Sequence, residues 1–141
     1  MSKDAKLDRL AQVGLFRGLS RRELEHVAEI VDEVEVRPGR KLATEGEPAH
    51  TAYVIVSGVA AISVDGQKVG MAGPGEMVGE MGLIDGGTRA ATVTAETDMD
   101  VYIIEPGRFR ALLDEVPSLC RGMLVAMTRR LRATDQLLHR H

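Results

Sequence analysis

Aromatic residues are nearly missing from this chain, which has two Phe, two Tyr and no Trp in 141 residues, so its core must be aliphatic. Cysteine is also scarce. The single Cys120 excludes an internal disulfide framework and any cysteine-built metal cluster. No apolar run approaches the length of a membrane span, and the opening MSKDAKLDRL lacks the apolar centre of a secretion signal. A cytoplasmic location is expected. Nor is there an excess of positive charge. The net charge of −3 argues against a general electrostatic grip on nucleic acid. The rest is ordinary for a globular chain, with 44% hydrophobic and 28% charged residues. Fifteen glycines imply many tight turns and a strand-rich body.

Residues 4–13 and 20–31 have helical spacing, and in the second segment Leu24, Val27, Ile30 and Val31 share a face. Ser20 with Glu23 forms a capping-box pattern ahead of it. Between the two helices, GLFRGL reads as a turn whose Leu15 and Phe16 pack inward. Polarity alternates from Glu33 to Arg37, and Pro38-Gly39 turns the chain. Short strands are expected at 40–45, 51–57, 59–64, 67–71, 90–96 and 99–105. Asp65-Gly66 is the strongest hairpin signal among their connections. After Pro106 the pattern is helical to the end, with a break at Pro117. The expectation is one α+β domain over 1–141. N-terminal helices fall in 4–31, an antiparallel β-roll resembling a jelly-roll barrel covers 33–105, and C-terminal helices fill 106–139.

Residues 78–93 read VGEMGLIDGGTRAATV, and nearly every position around Glu80 and Arg89 is apolar, glycine or small. Gly79 ends a strand-like segment, and Glu80 to Asp85 has room for about one and a half helical turns. Gly86-Gly87 ends that helix, and Thr88-Arg89 leads into the next strand. The free N–H groups at a helix start suit an anion. Arg89 adds a planar fork of donors that matches phosphate oxygens. Glu80, when ionised, only accepts hydrogen bonds, so it asks for hydroxyl or amide donors and repels phosphate. A ligand that satisfies both carries a phosphate beside free hydroxyls, as a sugar phosphate or nucleotide does. Small residues at Gly79, Gly82, Ala90 and Ala91 would let a flat ligand lie close to the backbone. The same spacing also permits Glu80 and Arg89 to pair with each other as a buried ion bridge, and the residues alone leave both readings open.

The segment GEMGLIDGGTRAATV resembles the phosphate-binding cassette of cyclic-nucleotide-binding domains. Its spacing from Glu80 to Arg89 is similar to that in regulatory subunits of cAMP-dependent protein kinase. LFRGLSRRELEHVAEIV resembles the family's N-terminal helices, and GRKLATEGEPAHTAYVIVSGVAAI resembles its early strands. The likeness covers residues 14–138 and implies the family's β-roll followed by its B-type and C-type helices. It implies that Glu80 accepts from a ribose 2′-hydroxyl and that Arg89 binds a cyclic phosphate, helped by the backbone at Gly82, Ala90 and Ala91. Gly79 and Met81 belong to the same cassette, and Val69 and Val78 would line the pocket floor. Domains of this family that select cGMP often carry Thr or Ser after the cassette arginine. Ala90 stands there in this chain, which favours cAMP. Val78, where the family often has Phe or Ile, and Thr88, before the arginine, are mild departures.

In the last helix Cys120, Leu124, Met127, Leu131, Thr134 and Leu138 recur at spacings of four and three, a heptad seam. Such a seam either folds onto its own domain or pairs two chains in an isologous dimer. TRRLRATDQLL also resembles the dimerising helix of the catabolite-activator type, which implies that Thr134 meets the adenine amine. Activators of that type continue into a helix-turn-helix, whereas this sequence stops at His141, so no direct DNA binding is expected.

Enzymatic readings find little footing. A cupin-like metal site needs converging histidines, and His26, His50, His139 and His141 form no such cluster. GPGEMVG lacks the Lys-Ser/Thr of a P-loop, no Ser-His-Asp arrangement is present, and Cys120 is expected as a buried thiol. Glu45 and Glu47 read as turn residues. The expected protein is not an enzyme and needs no metal or cofactor. It is a sensor that binds cAMP, with cGMP as the second candidate ligand, and acts through its last helix on an unknown protein partner. The alternative is a degenerate relative that keeps the fold and serves as a dimeric interaction module.

Overall fold

Ser20 closes the first part of the fold as its spacing from Glu23 predicts. The Ser20 Oγ accepts from the Glu23 N–H at 3.2 Å, and a Glu23 carboxylate oxygen accepts from the Ser20 N–H at 2.8 Å. In this computed structural model, residues 3–48, 51–79 and 87–139 are described. Helices α1 (Lys3–Gln12) and α2 (Arg21–Ile30) flank a 3-10 turn at Gly14–Phe16, each within a residue of its expected bounds. Phe16, Leu24 and Val27 are buried, as the turn and the helical face require, and Leu15 packs partly buried beside them.

The strands are β1 (Asp32–Val36), β2 (Lys41–Ala43), β3 (Ala52–Ser57), β4 (Ala60–Val64), β5 (Gln67–Ala72), β6 (Met77–Val78), β7 (Thr92–Ala95) and β8 (Met99–Ile104). They form two antiparallel sheets, ordered β1-β8-β3-β6 and β2-β7-β4-β5. The alternating stretch after Asp32 is therefore a strand, paired along its whole length with β8. Asp65 and Gly66 both take positive φ, 52° and 79°, which the β4–β5 hairpin needs to match the strand twist.

Side-chain alternation separates two cores. Val36, Ile55, Val78, Met99 and Val101 of the first sheet meet Leu42, Ala60, Val93 and Ala95 of the second. On its other face the first sheet sends Ala52, Val54, Met77, Tyr102 and Ile104 into a cluster with the helices. Among the described residues the first sheet is thus covered on both faces and the second on one. Among the described residues the sheets do not close into the expected barrel. The turns at Pro38-Gly39 and Gly73-Pro74-Gly75 carry the chain from one sheet to the other, and the strands reached, β2 and β6, are only three and two residues long.

Proline starts both C-terminal helices, α3 (Pro106–Glu115) and α4 (Pro117–His139), where its missing N–H is no loss. Phe109 and Leu112 of α3 are fully buried, and His26 of α2 meets the Glu115 carboxylate at its end. In α4 the buried face is Leu119 and Met123, with Met127 packed partly against the same core. Of the expected seam, Met127 alone among the described side chains turns toward that core. Leu124 is 62% and Leu131 is 71% exposed, and Cys120 is exposed rather than buried. Cys120 follows the buried Leu119 by a single residue, about 100° around the helix, which carries it off the core face.

Candidate functional site

The turn after β2 and the segment before β7 are tied by main-chain bonds that place Arg89. The Arg89 N–H donates to the Glu47 carbonyl at 2.8 Å, and the Gly46 N–H donates to the Arg89 carbonyl at 3.0 Å. Pro48 and Thr88 form an antiparallel bridge beside them. Glu45 secures the same turn. Its N–H donates to the Thr92 Oγ at 3.0 Å, and its carboxylate accepts from the Asp65 N–H at 2.9 Å. Glu45 and Glu47 are turn residues, as their setting predicts.

The Arg89 side chain runs from this anchor to the first sheet. Its Nη1 donates to the Gly79 carbonyl at 3.0 Å and its Nη2 to the Thr51 carbonyl at 2.7 Å. Arg89 is 8% exposed and is the one buried charged side chain among the described residues. Ion pairs among those residues join Arg9 to Glu33, Arg21 to Asp4 and Glu25, His26 to Glu115 and Lys68 to Glu96; none includes Arg89. A guanidinium has five N–H donors, and two are engaged here by neutral carbonyls. Desolvating a cation costs several kcal/mol, and among the described residues no carboxylate offsets that cost, so this arrangement is suited to receiving an anion.

Gly79 makes the approach possible. It sits at φ +87°, and a Cβ there would collide with the Arg89 Nη1 and crowd the Thr51 carbonyl oxygen. Val78, the residue before it, is buried between the two sheets. Ala90 is exposed and Ala91 half-buried as the chain enters β7. Val69 stands on β5, an edge strand of the second sheet, and is 63% exposed. Register jumps there from Ile62–Gly70 to Ser63–Lys68, which makes Val69 the extra residue of a bulge. Thr134 belongs to α4. Glu80, Met81 and Gly82, with the short helix expected at 80–85, lie outside the described residues.

The structure thus joins Gly79 to Arg89 and adds Thr51, which sequence reasoning does not single out. A backbone carbonyl acts through its position and leaves no trace in residue type. Among the described residues, no group of three or more His, Cys, Asp or Glu gathers as a metal site would require. None of their helices is long and apolar enough to cross a membrane.

Comparison with known proteins points the same way. Over 134 residues the chain is 28% identical to a CRP-like cAMP-activated global transcriptional regulator of Mycobacterium tuberculosis, a match covering 92% of this chain and 60% of that protein. It is 32% identical over 116 residues to a cAMP-dependent protein kinase regulatory subunit of Colletotrichum orbiculare, covering 81% of this chain and 30% of that one. The chain therefore spans less than two thirds of the length of these relatives. The crystal structure of the Thermus thermophilus catabolite activator protein superposes with a TM-score of 0.81 at 26% identity, over 89% of this chain and 62% of that one. The family model of the cyclic nucleotide-binding domain matches residues 33–116, which span both sheets and α3. With more than half its length matched in this way, the chain belongs to the cyclic nucleotide-binding domain family.

Proposed function

We propose that this domain is a regulatory sensor that binds a cyclic nucleotide, cAMP ahead of cGMP, and passes the event through α4 to a protein partner. The observation that carries the reading is the buried Arg89 guanidinium, held between the sheets by two neutral carbonyls and in no ion pair among the described residues. A cyclic phosphate supplies a negative charge for this guanidinium, which has none in an ion pair among the described residues. Two charge-assisted bonds at about 1.5–3 kcal/mol each support micromolar affinity once ordering costs are subtracted. Glu80 takes the ribose 2′-hydroxyl in this proposal, and Gly82, Ala90 and Ala91 offer backbone to the phosphate. Ala90 has no hydroxyl to reach a guanine, which is the ground for preferring cAMP. Val78 and Val69 form the floor, with the exposed Val69 coming under cover when ligand enters.

The base then needs a lid. Leu131 is exposed in α4, and the turn from Leu131 to Thr134 is the proposed cover. A ligand that favours one position of that turn shifts the helix population, which is all a switch requires. The alternative is a module that keeps the fold and has lost the ligand. A thermal melt with cAMP, cGMP, 2′-deoxy-cAMP and no addition separates the two. At one hundred times Kd, cAMP should raise Tm by roughly 5–10 °C, and the 2′-deoxy analogue by less. No shift with any nucleotide would leave the interaction module as the better reading.

A further inference from the structure

Separate from the nucleotide reading, a groove runs between the 3-10 turn, the β5–β6 connection and α4, with a volume of about 640 Å³. Leu15, Met77 and Met123 contribute apolar floor, and Arg17, Arg121 and Arg129 stand around it. A shallower depression of about 300 Å³ shares Arg121, Val125 and Arg129 and adds Leu124 and Arg132. The two form one continuous surface. Arg121, Val125 and Arg129 fall four residues apart and so share a face of the helix. All four arginines are exposed, and none is in an ion pair among the described residues. Leu124 and Val125, exposed at 62% and 43%, lie between them. Among its described residues, a chain whose net charge is −3 has therefore gathered four arginines around one apolar trough.

We infer that this groove docks an acidic amphipathic helix of a protein partner, its apolar stripe on the trough and its carboxylates on the arginines. Charge complementarity selects this occupant. Guanidinium forks pair with carboxylates in two-point geometry, and a helix laid in a groove presents an apolar stripe with charges at its margins. A second copy of this surface is a poor fit, because an isologous pairing must be self-complementary. Among the described residues the one acid lining the groove is Glu76, whose carboxylate accepts from the Gly73 N–H at 3.4 Å in its own turn. Among the described residues no aromatic lines the groove to stack a base, and a flat lipid surface would leave its floor uncovered.

The test titrates the full chain into a fluorescent helical peptide of about four turns, with Leu at helical spacing and Glu along both edges of the stripe. A matched peptide carries Lys in place of Glu. Phosphatidylserine vesicles form a third arm, and sedimentation of the chain alone forms a fourth. The Glu peptide should bind at least about tenfold more tightly than the Lys peptide, and more weakly as salt rises. Arg121→Glu combined with Arg129→Glu should remove about tenfold or more of that affinity, and Arg129→Gln alone a smaller share, with melting temperatures unchanged. Equal affinity for the two peptides, or wild-type affinity in the double variant, would overturn the inference. So would preferential vesicle binding, or self-association that disappears in the double variant.

Discussion

Arg89 and Gly79, ten residues apart, are matched by shape as well as by a hydrogen bond: the guanidinium occupies the space that a Cβ on Gly79 would need. Replacing Gly79 with alanine should therefore do two things. It adds strain at φ +87° and pushes the guanidinium from both its carbonyl partners. Gly79→Ala is expected to destabilise the fold by about 1–3 kcal/mol and to weaken cAMP binding as well. Urea denaturation checks the first effect. Wild-type stability and affinity together would mean that the guanidinium is held in place by something other than its fit against Gly79.

Tyr102 is expected to weaken the fold at alkaline pH. It is buried beneath α1, its ring 5.9 Å from the Lys6 ammonium, and its hydroxyl has no hydrogen-bond partner among the described residues. Burial, with Glu33 and Asp100 adding to it and Arg9 opposing, pushes the hydroxyl above the ordinary tyrosine range. The unfolded chain then gives up this proton first. The resulting stability is fully present below roughly pH 10 and is lost as pH climbs through the folded value. Tyr102→Phe should flatten that alkaline loss. Near neutrality it should be neutral, or stabilising by up to about 1 kcal/mol, because an unpaired buried hydroxyl is gone. Denaturation curves at neutral and alkaline pH test this, and an unchanged alkaline slope in the variant would assign the titration to another group.

The sequence announces the local structure where one residue type forces one geometry. Ser20 with Glu23 locates the start of α2, and Asp65-Gly66 locates a hairpin because both residues must take positive φ. Long-range pairing is less visible. The alternation after Asp32 indicates an extended segment, but its partner, β8, lies almost seventy residues away. β6 is two residues long, too short to show a period. The heptad spacing in α4 is present, yet the core takes Leu119 and Met123, with Met127 of the seam only partly covered. A helix with apolar residues on two faces does not say which one its neighbours cover. At the site, glycine and arginine are legible as residue types. The Thr51 carbonyl that fixes the guanidinium is not.

The exposed part of α4 gives the proposed switch its own test. Leu131→Asp sets a charge on a side chain that is 71% exposed, so the fold should tolerate it within about 0.5 kcal/mol. If the turn that carries Leu131 covers the bound base, the same substitution should weaken cAMP binding by about tenfold. That is the order expected when an apolar cover is removed and a carboxylate is brought near a desolvated ligand. Fluorescence titration with a cAMP analogue measures this. Unchanged affinity in a stable variant would remove α4 from the ligand's cover.

Isothermal calorimetry of cAMP against the wild type, and against Arg89→Ala, tests the central claim most directly. The wild type should bind one cAMP per chain, more tightly than cGMP. Arg89→Ala should lose about 2–4 kcal/mol, the range for breaking a buried charge-assisted pair. Equal affinity of the variant and the wild type for cAMP, or no binding to the wild type, would contradict the assignment of Arg89 as the phosphate anchor.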